Sequence, residues 1–190
     1  MQAPRPVLPR WGYSGGMSLS VAFVREMKSG SREITNAELR AVFDKASFTV
    51  VTTFRSSGNI VFVDNGPEDR RLPRLRKALK GAFGGSVPIF LRTSQQLRKL
   101  AGQTPFSAEQ IRTAKGKLRV TILPSAPTAK IAAAVVHIAP EARTWIGRDL
   151  YWLPSSERGA VAELAAIEAK AGVCATRTMG TLQSILKKLK

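Results

Sequence analysis

Between Leu19 and Arg92 the spacing of apolar residues changes period five times, and each change marks an element boundary. Residues 20–24 run on a period of two and predict a strand. A helix follows, with Thr35 and Glu38 placed as a capping box, Ile34 and Leu39 as its hydrophobic staple, and Leu39, Val42, Phe43 and Ala46 as one apolar face. Two further period-two runs, 48–54 and 60–63, flank Ser56-Ser57-Gly58-Asn59, where Gly58-Asn59 predicts a hairpin turn. A second helix is predicted from Pro73, with Leu75, Leu79, Ala82 and Phe83 inside and Gly84 closing it. The last strand, 87–91, holds Pro88 and therefore belongs at a sheet edge.

That order, β-α-β-β-α-β, predicts a ferredoxin-like unit over residues 18–93. Both faces of its first and third strands are apolar: Val21 and Phe23 against Ala22 and Val24, Ile60 and Phe62 against Val61 and Val63. A sheet with one face in water alternates instead, so residues 94–190 are expected to cover the second face. They predict short helices from Ser94 and from Ser107, strands at 118–123 and 133–138, and a hairpin of 144–146 and 150–153 turning at Gly147-Arg148. A helix over 159–171 stopped by Gly172 and a last helix over 178–189 complete the chain. The expected fold is α+β in two lobes, the first ferredoxin-like and the second a smaller α+β unit packed on it. Residues 1–17, rich in proline and glycine, read as a disordered leader or a misassigned start, with Met17 as the alternative first residue.

The charge is strongly one-sided. The 190 residues carry a net charge of +17. Much of it lies between Glu68 and Arg119, where thirteen basic residues face only Glu68, Asp69 and Glu109. Such a field attracts polyanions, although solvated charges on an Ala- and Arg-rich chain would give the same count. The candidate anion or nucleic-acid contacts are Arg25, Lys28, Arg70, Arg71, Arg74, Lys77, Lys115 and Lys117. An RNA-recognition module is excluded, because the third strand offers only Phe62 for stacking and no Lys/Arg-Gly-aromatic signature. What remains is contact with the phosphate backbone, without sequence readout. Trp145, Tyr151 and Trp152 flank the second hairpin, and alternation leaves at most one of Tyr151 and Trp152 on an open face.

The inventory for catalysis is thin. His137 falls on a predicted apolar strand with no ligand partner at metal spacing, so no metal site is assigned. One cysteine, Cys174, reads as a small core residue and suits a reducing cytoplasm. Gly81-Ala82-Phe83-Gly84-Gly85 ends a helix where a phosphate loop would begin one. Lys28-Ser29-Gly30-Ser31, ahead of a helix and beside Arg25, is the weaker anion-nest candidate. No catalytic residue and no cofactor are assigned, and no apolar run reaches bilayer length.

Val21-Ala22-Phe23-Val24-Arg25, the Gly/Ser loop, Glu38-Leu39-Arg40 and Thr53-Phe54-Arg55-Ser56-Ser57-Gly58-Asn59-Ile60-Val61-Phe62 together carry a resemblance. The chain, over roughly 18–189, resembles an uncharacterised, mostly bacterial family catalogued as domain of unknown function sixteen ninety-seven. Arg148-Asp149-Leu150-Tyr151 is similar to that family's hairpin tyrosine, and Cys174-Ala175-Thr176-Arg177-Thr178-Met179-Gly180-Thr181 stands where members carry Thr-Arg-Asn-Trp-Asn-Thr. Here Glu26-Met27-Lys28 replaces the Gly and Asn that follow the opening arginine, and the closing stretch lacks both Asn residues and the Trp. The resemblance implies an α+β fold with a ferredoxin-like first lobe and no established activity.

The expected function is a cytoplasmic, non-catalytic binding protein that engages polyanions, nucleic acid or another, through a basic face. The alternatives are a small-molecule or enzyme site in a cleft between the lobes, near Arg25, Ser57, Asn59 and Arg177, and a structural or partner-binding domain.

Overall fold

A computed structural model describes residues 18–25, 28–29, 32–54, 58–133 and 135–189. The leader at 1–17 and Ser57 lie outside the described residues. The chain opens with β1 (Ser18–Val24), the two-residue strands β2 (Lys28–Ser29) and β3 (Arg32–Glu33), then α1 (Asn36–Lys45). There follow β4 (Thr49–Phe54), β5 (Asn59–Asp64), α2 (Glu68–Phe83) and β6 (Ile89–Thr93). Strands β4, β5, β1 and β6 form one antiparallel sheet in that order, with Val21 opposite Val61 and Ala22 opposite Leu91. The strand that follows Pro88 is indeed at an edge, and Pro88 stands just outside it, its carbonyl accepting the Arg25 amide at 3.0 Å.

The second part begins with α3 (Ser94–Ala101) and α4 (Ala108–Thr113), continues through β7 (Arg119–Ile122) and α5 (Ala129–Ala133), and turns at Pro140–Ala142 into β8 (Arg143–Ile146) and β9 (Asp149–Trp152). Helix α6 (Gly159–Ala171), β10 (Ala175–Thr178) and α7 (Met179–Lys187) end it. Its sheet runs β10, β7, β9, β8, antiparallel throughout. The molecule is thus α+β, with two four-stranded antiparallel sheets and seven α-helices among the described residues.

Three apolar cores explain the layering. Ala22, Val24, Ile60 and Phe62 face α1 and α2 through Leu39, Val42, Phe43, Leu75 and Leu79. Phe43, Phe48 and Phe62 pack edge-on or tilted at centroid distances of 5.3 to 5.9 Å. The opposite face, Val21, Phe23, Val61 and Phe90, packs on Leu97 and Leu100 of α3, Met179, Leu182 and Ile185 of α7, and Val120, Ile122 and Tyr151 of the second sheet. The doubly apolar strands are therefore covered on both faces. The far side of the second sheet, Leu150 and Trp152, closes on Ala160 and Ile167 of α6 with Val135, Ile138 and Cys174.

Local chemistry sets most of the ends. Thr35 with Glu38, Thr93 with Gln96 and Ser107 with Gln110 each form a capping box. Gly58 turns the first hairpin at φ +65°, and Gly172 ends α6 at φ +74°, ψ −161°, a region open only to glycine.

Three expectations need correction. Helix α2 starts at Glu68, not Pro73, because Glu68 and Asp69 in its first turn complement the helix dipole; Pro73 is carried inside, where it leaves the carbonyl of Asp69 without its usual donor. The strand expected at 133–138 is not there among the described residues: Ala129–Ala133 is helical, and Val135 and Ile138 are buried from a turn. Strand β10, absent from the sequence reading, runs directly into the N-cap of α7.

Candidate functional site

The basic residues of α2 divide by helix face. Arg71 lies one turn before Leu75, on the inward side, and is buried. Its Nε donates to Asp64 at 3.1 Å, Nη1 to Ser20 Oγ at 3.2 Å and Nη2 to the Gly66 carbonyl at 3.3 Å. Arg74 reaches the same Asp64 carboxylate at 3.3 Å, donates to the Ala46 carbonyl at 2.8 Å, and lies 4.2 Å from the centre of the Phe48 ring. One buried carboxylate thus compensates two guanidinium groups that pin α2 to β5 and to the end of α1. Arg71 is therefore an internal strut, not a surface contact for an anion, and Arg74 is largely committed in the same way. Arg70 and Lys77 are exposed, as are Arg76 and Lys80.

Of the inter-lobe candidates, Arg177 and Asn59 meet one another. Arg177, on β10, donates through Nε to Asn59 Oδ1 at 2.7 Å and through Nη2 to the Val24 carbonyl at 2.7 Å, bridging the second sheet to the first. Burial pulls the Arg177 guanidinium down to about 10, still charged at neutral pH. Asn59, fully buried, donates in turn to the Phe54 carbonyl at 3.3 Å. Arg25 grips Glu168 of α6 with two nitrogens, Nε to Oε1 at 2.9 Å and Nη2 to Oε2. These three side chains are tied into the protein. Lys28 lies in β2 with its side chain outside the described residues, as is all of Ser57. Cys174 is buried against Glu168, 3.7 Å from Oε1; burial first, then that carboxylate, pushes the thiol up to about 12.

Lys115 and Lys117 are placed differently. Both are exposed and line an open groove of about 830 Å³ between the end of α4 and the start of α7. Thr178 caps α7, its Oγ1 accepting the Thr181 amide at 3.2 Å, while the Met179 amide is taken by the Leu118 carbonyl at 2.9 Å. Gly180 between them has no atom within 4 Å of where a Cβ would stand, so the first turn of the helix opens to the groove. The positive end of the dipole lies there with Lys115, Lys117, Thr181 and Ser184 in the lining; the Thr181 hydroxyl pairs with Thr178 Oγ1 at 2.9 Å and the Ser184 hydroxyl donates to the Gly180 carbonyl at 2.7 Å. Glu157, on the rim, is engaged: its carboxylate accepts the Lys117 amide at 2.5 Å and an Arg119 nitrogen at 2.8 Å, which holds it below the usual carboxylate range.

Leu118 and Met179, beside these lysines, pack on the opposite side of the first sheet from Leu75 and Leu79 of α2. The two basic segments therefore form separate sets, not one continuous stripe. Neither Tyr151 nor Trp152 is open for stacking. Trp152 and Tyr151 are both buried because β9 is an inner strand covered on both faces; Trp152 Nε1 donates to Thr121 Oγ1 at 3.0 Å and Tyr151 Oη to the Leu100 carbonyl at 2.9 Å. His137 sits on an exposed turn, its Nε2 3.1 Å from the Glu163 carbonyl. Among the described residues no three metal-ligating side chains cluster, and no helix is long and apolar enough to cross a membrane.

Fold and groove define an α+β protein with two four-stranded sheets and an open groove at the start of its last helix. Residues 17–151 match the family described as Protein of unknown function (DUF1697), and the chain belongs to that family. A solved structure, that of the conserved bacterial protein SP0830 from Streptococcus pneumoniae, is similar in fold at 15% identity, with a TM-score of 0.69 over 92% of this chain and 99% of that one. No curated protein matches the chain. The family match ends at Tyr151, so Arg177 and all of α7 lie beyond it.

Proposed function

We propose that this protein is a non-catalytic, cytoplasmic binder of phosphate-bearing polyanions, nucleic acid among them, and that backbone phosphates sit in the groove at the start of α7. The observation that carries the reading is the convergence of Lys115, Lys117 and the open first turn of α7 on one 830 Å³ groove. The Met179 and Thr181 amides are already taken, so the helix start contributes the positive end of its dipole, and ammonium groups beside it add charge without dictating sequence. Sequential contact with about two phosphates is the natural occupancy of two lysines. In this reading residues 18–93 form a ferredoxin-like lobe, supported by the strand order of the first sheet, and residues 94–190 supply the groove.

Filter binding to single-stranded and duplex DNA across a salt series tests it. About two phosphates predict a logarithmic salt slope near −1.4 for single strands and near −1.8 for duplex. Lys115→Glu with Lys117→Glu abolishes binding, whereas Arg76→Glu with Lys77→Glu on α2 leaves most of it. Salt-independent binding, or none, overturns the reading.

A further inference from the structure

A second cavity, of about 330 Å³, opens where the end of β6, helix α3 and the β8–β9 hairpin meet. Its size falls at the lower end of the range for small-molecule sites, roughly 300–1,000 Å³, and it lies where the first part of the chain meets the second. Three cationic residues line it, Arg92, Lys99 and Arg148, against the single carboxylate of Asp149.

That carboxylate is already matched. Arg92 Nη2 donates to Asp149 Oδ1 at 2.6 Å, with side-chain exposures of 3% and 11%, so the floor of the cavity is a buried, neutral pair. Arg92 is fixed further by the carbonyls of Leu91 and Leu123, each at 2.9 Å. The charge left over belongs to Lys99 on α3 and Arg148 on the hairpin turn. Arg148 is oriented by one bond, Nη1 to the Pro124 carbonyl at 3.0 Å, and neither residue has an ion-pair partner among the described residues. Leu100 and Ile146 give an apolar wall, and the Gln96 and Gln103 amides stand beside it.

Lys99 on α3 and Arg148 on the hairpin turn leave a net positive charge here even with Asp149 drawn on by both Arg92 and Arg148, and with the apolar patch beside them they suit a ligand with negative charge at both ends and a short carbon body. We infer that this cavity binds a small organic dianion, one end paired with Lys99 and the other with Arg148. The site is separate from the groove at α7 and uses none of its residues.

Isothermal titration with succinate, a carboxylate at each end, and with 3-phosphonopropionate, a carboxylate at one end and a phosphonate at the other, tests it; inorganic phosphate, which has no carbon body, is the third probe. At least one organic probe should bind one-to-one with half-saturation below about 1 mM, more tightly than inorganic phosphate. Lys99→Gln and Arg148→Gln lie at the rim, so both should fold, as an unchanged melting curve will verify. Each is expected to weaken binding about tenfold or more, the worth of one charge-assisted contact. Lys115→Gln with Lys117→Gln should leave it unchanged, which keeps this result apart from the polyanion test. Failure of both organic probes to saturate, or binding indifferent to Lys99 and Arg148, overturns the inference.

Discussion

Replacing Arg177 by methionine tests whether this residue is a strut or a site. Methionine keeps most of the apolar stem and removes every hydrogen bond. Asn59 Oδ1 and the Val24 carbonyl each lose a donor at 2.7 Å, and both residues are fully buried, so water does not replace it. An orphaned buried acceptor costs about 1–3 kcal/mol, which places the gross loss at about 2–6 kcal/mol. Against this stands relief of the buried charge, whose pKa already sits near 10 because of its desolvation. The net destabilisation expected is about 2–4 kcal/mol. For a chain of this size each kcal/mol lowers the midpoint by about 2–4 °C, so Arg177→Met should melt roughly 4–15 °C below wild type by far-ultraviolet circular dichroism. Arg177→Lys, which reaches one acceptor at a time, should fall between. A Met variant melting within about 2 °C of wild type refutes the reasoning and frees Arg177 for a role in binding.

Two further outcomes follow from buried groups. Asp64→Ala leaves the Arg71 guanidinium buried without its carboxylate and should cost about 3–5 kcal/mol in urea unfolding, with much of it restored in Asp64→Leu/Arg71→Met; a loss under about 1 kcal/mol would mean the pair does not hold α2. Cys174 should resist a thiol reagent at pH 8 in the folded protein and react only after denaturation, since burial keeps its pKa near 12. Because the folded value lies above the ordinary 9.0, its contribution is complete below that pH and is lost as pH climbs through about 12. Thermal stability should accordingly decline above pH 9, less steeply in Cys174→Ala, and rapid labelling of the native thiol would contradict the burial.

Local signals were legible wherever backbone chemistry alone decides the outcome. Thr35/Glu38 and Ser107/Gln110 satisfy orphan amides within one turn of chain, so their helices begin where the sequence places them. The period-two runs around Gly58 likewise pair as a hairpin. Elements decided by distant partners were not legible. The apolar run 133–138, expected as a strand, is short, and periodicity alone does not tell a buried strand from a turn that buries Val135 and Ile138. Thr176 and Arg177 look like a loop until Val120 and Thr121 stand beside them. Charge was the most misleading signal. Arg71, Arg74 and Arg92 are counted with the surface cations in the sequence, yet Asp64 and Asp149 draw them inward, and neither aspartate is near its partner at helical spacing. The groove at α7 combines Lys115 and Lys117 with residues some sixty positions later, an encounter that only the fold creates.

Strand β1 belongs to two cores at once, with Val21 and Phe23 on one side and Ala22 and Val24 on the other. During synthesis the side toward α1 and α2 can close as soon as residue 93 has left the ribosome. The other begins to close with Leu97 and Leu100 of α3 but is complete only with Met179, Leu182 and Ile185, which emerge almost a hundred residues later. For that interval, several seconds at ordinary translation rates of about 5–20 residues per second, the nascent polypeptide displays a greasy sheet, and a holding chaperone would have its longest opportunity there.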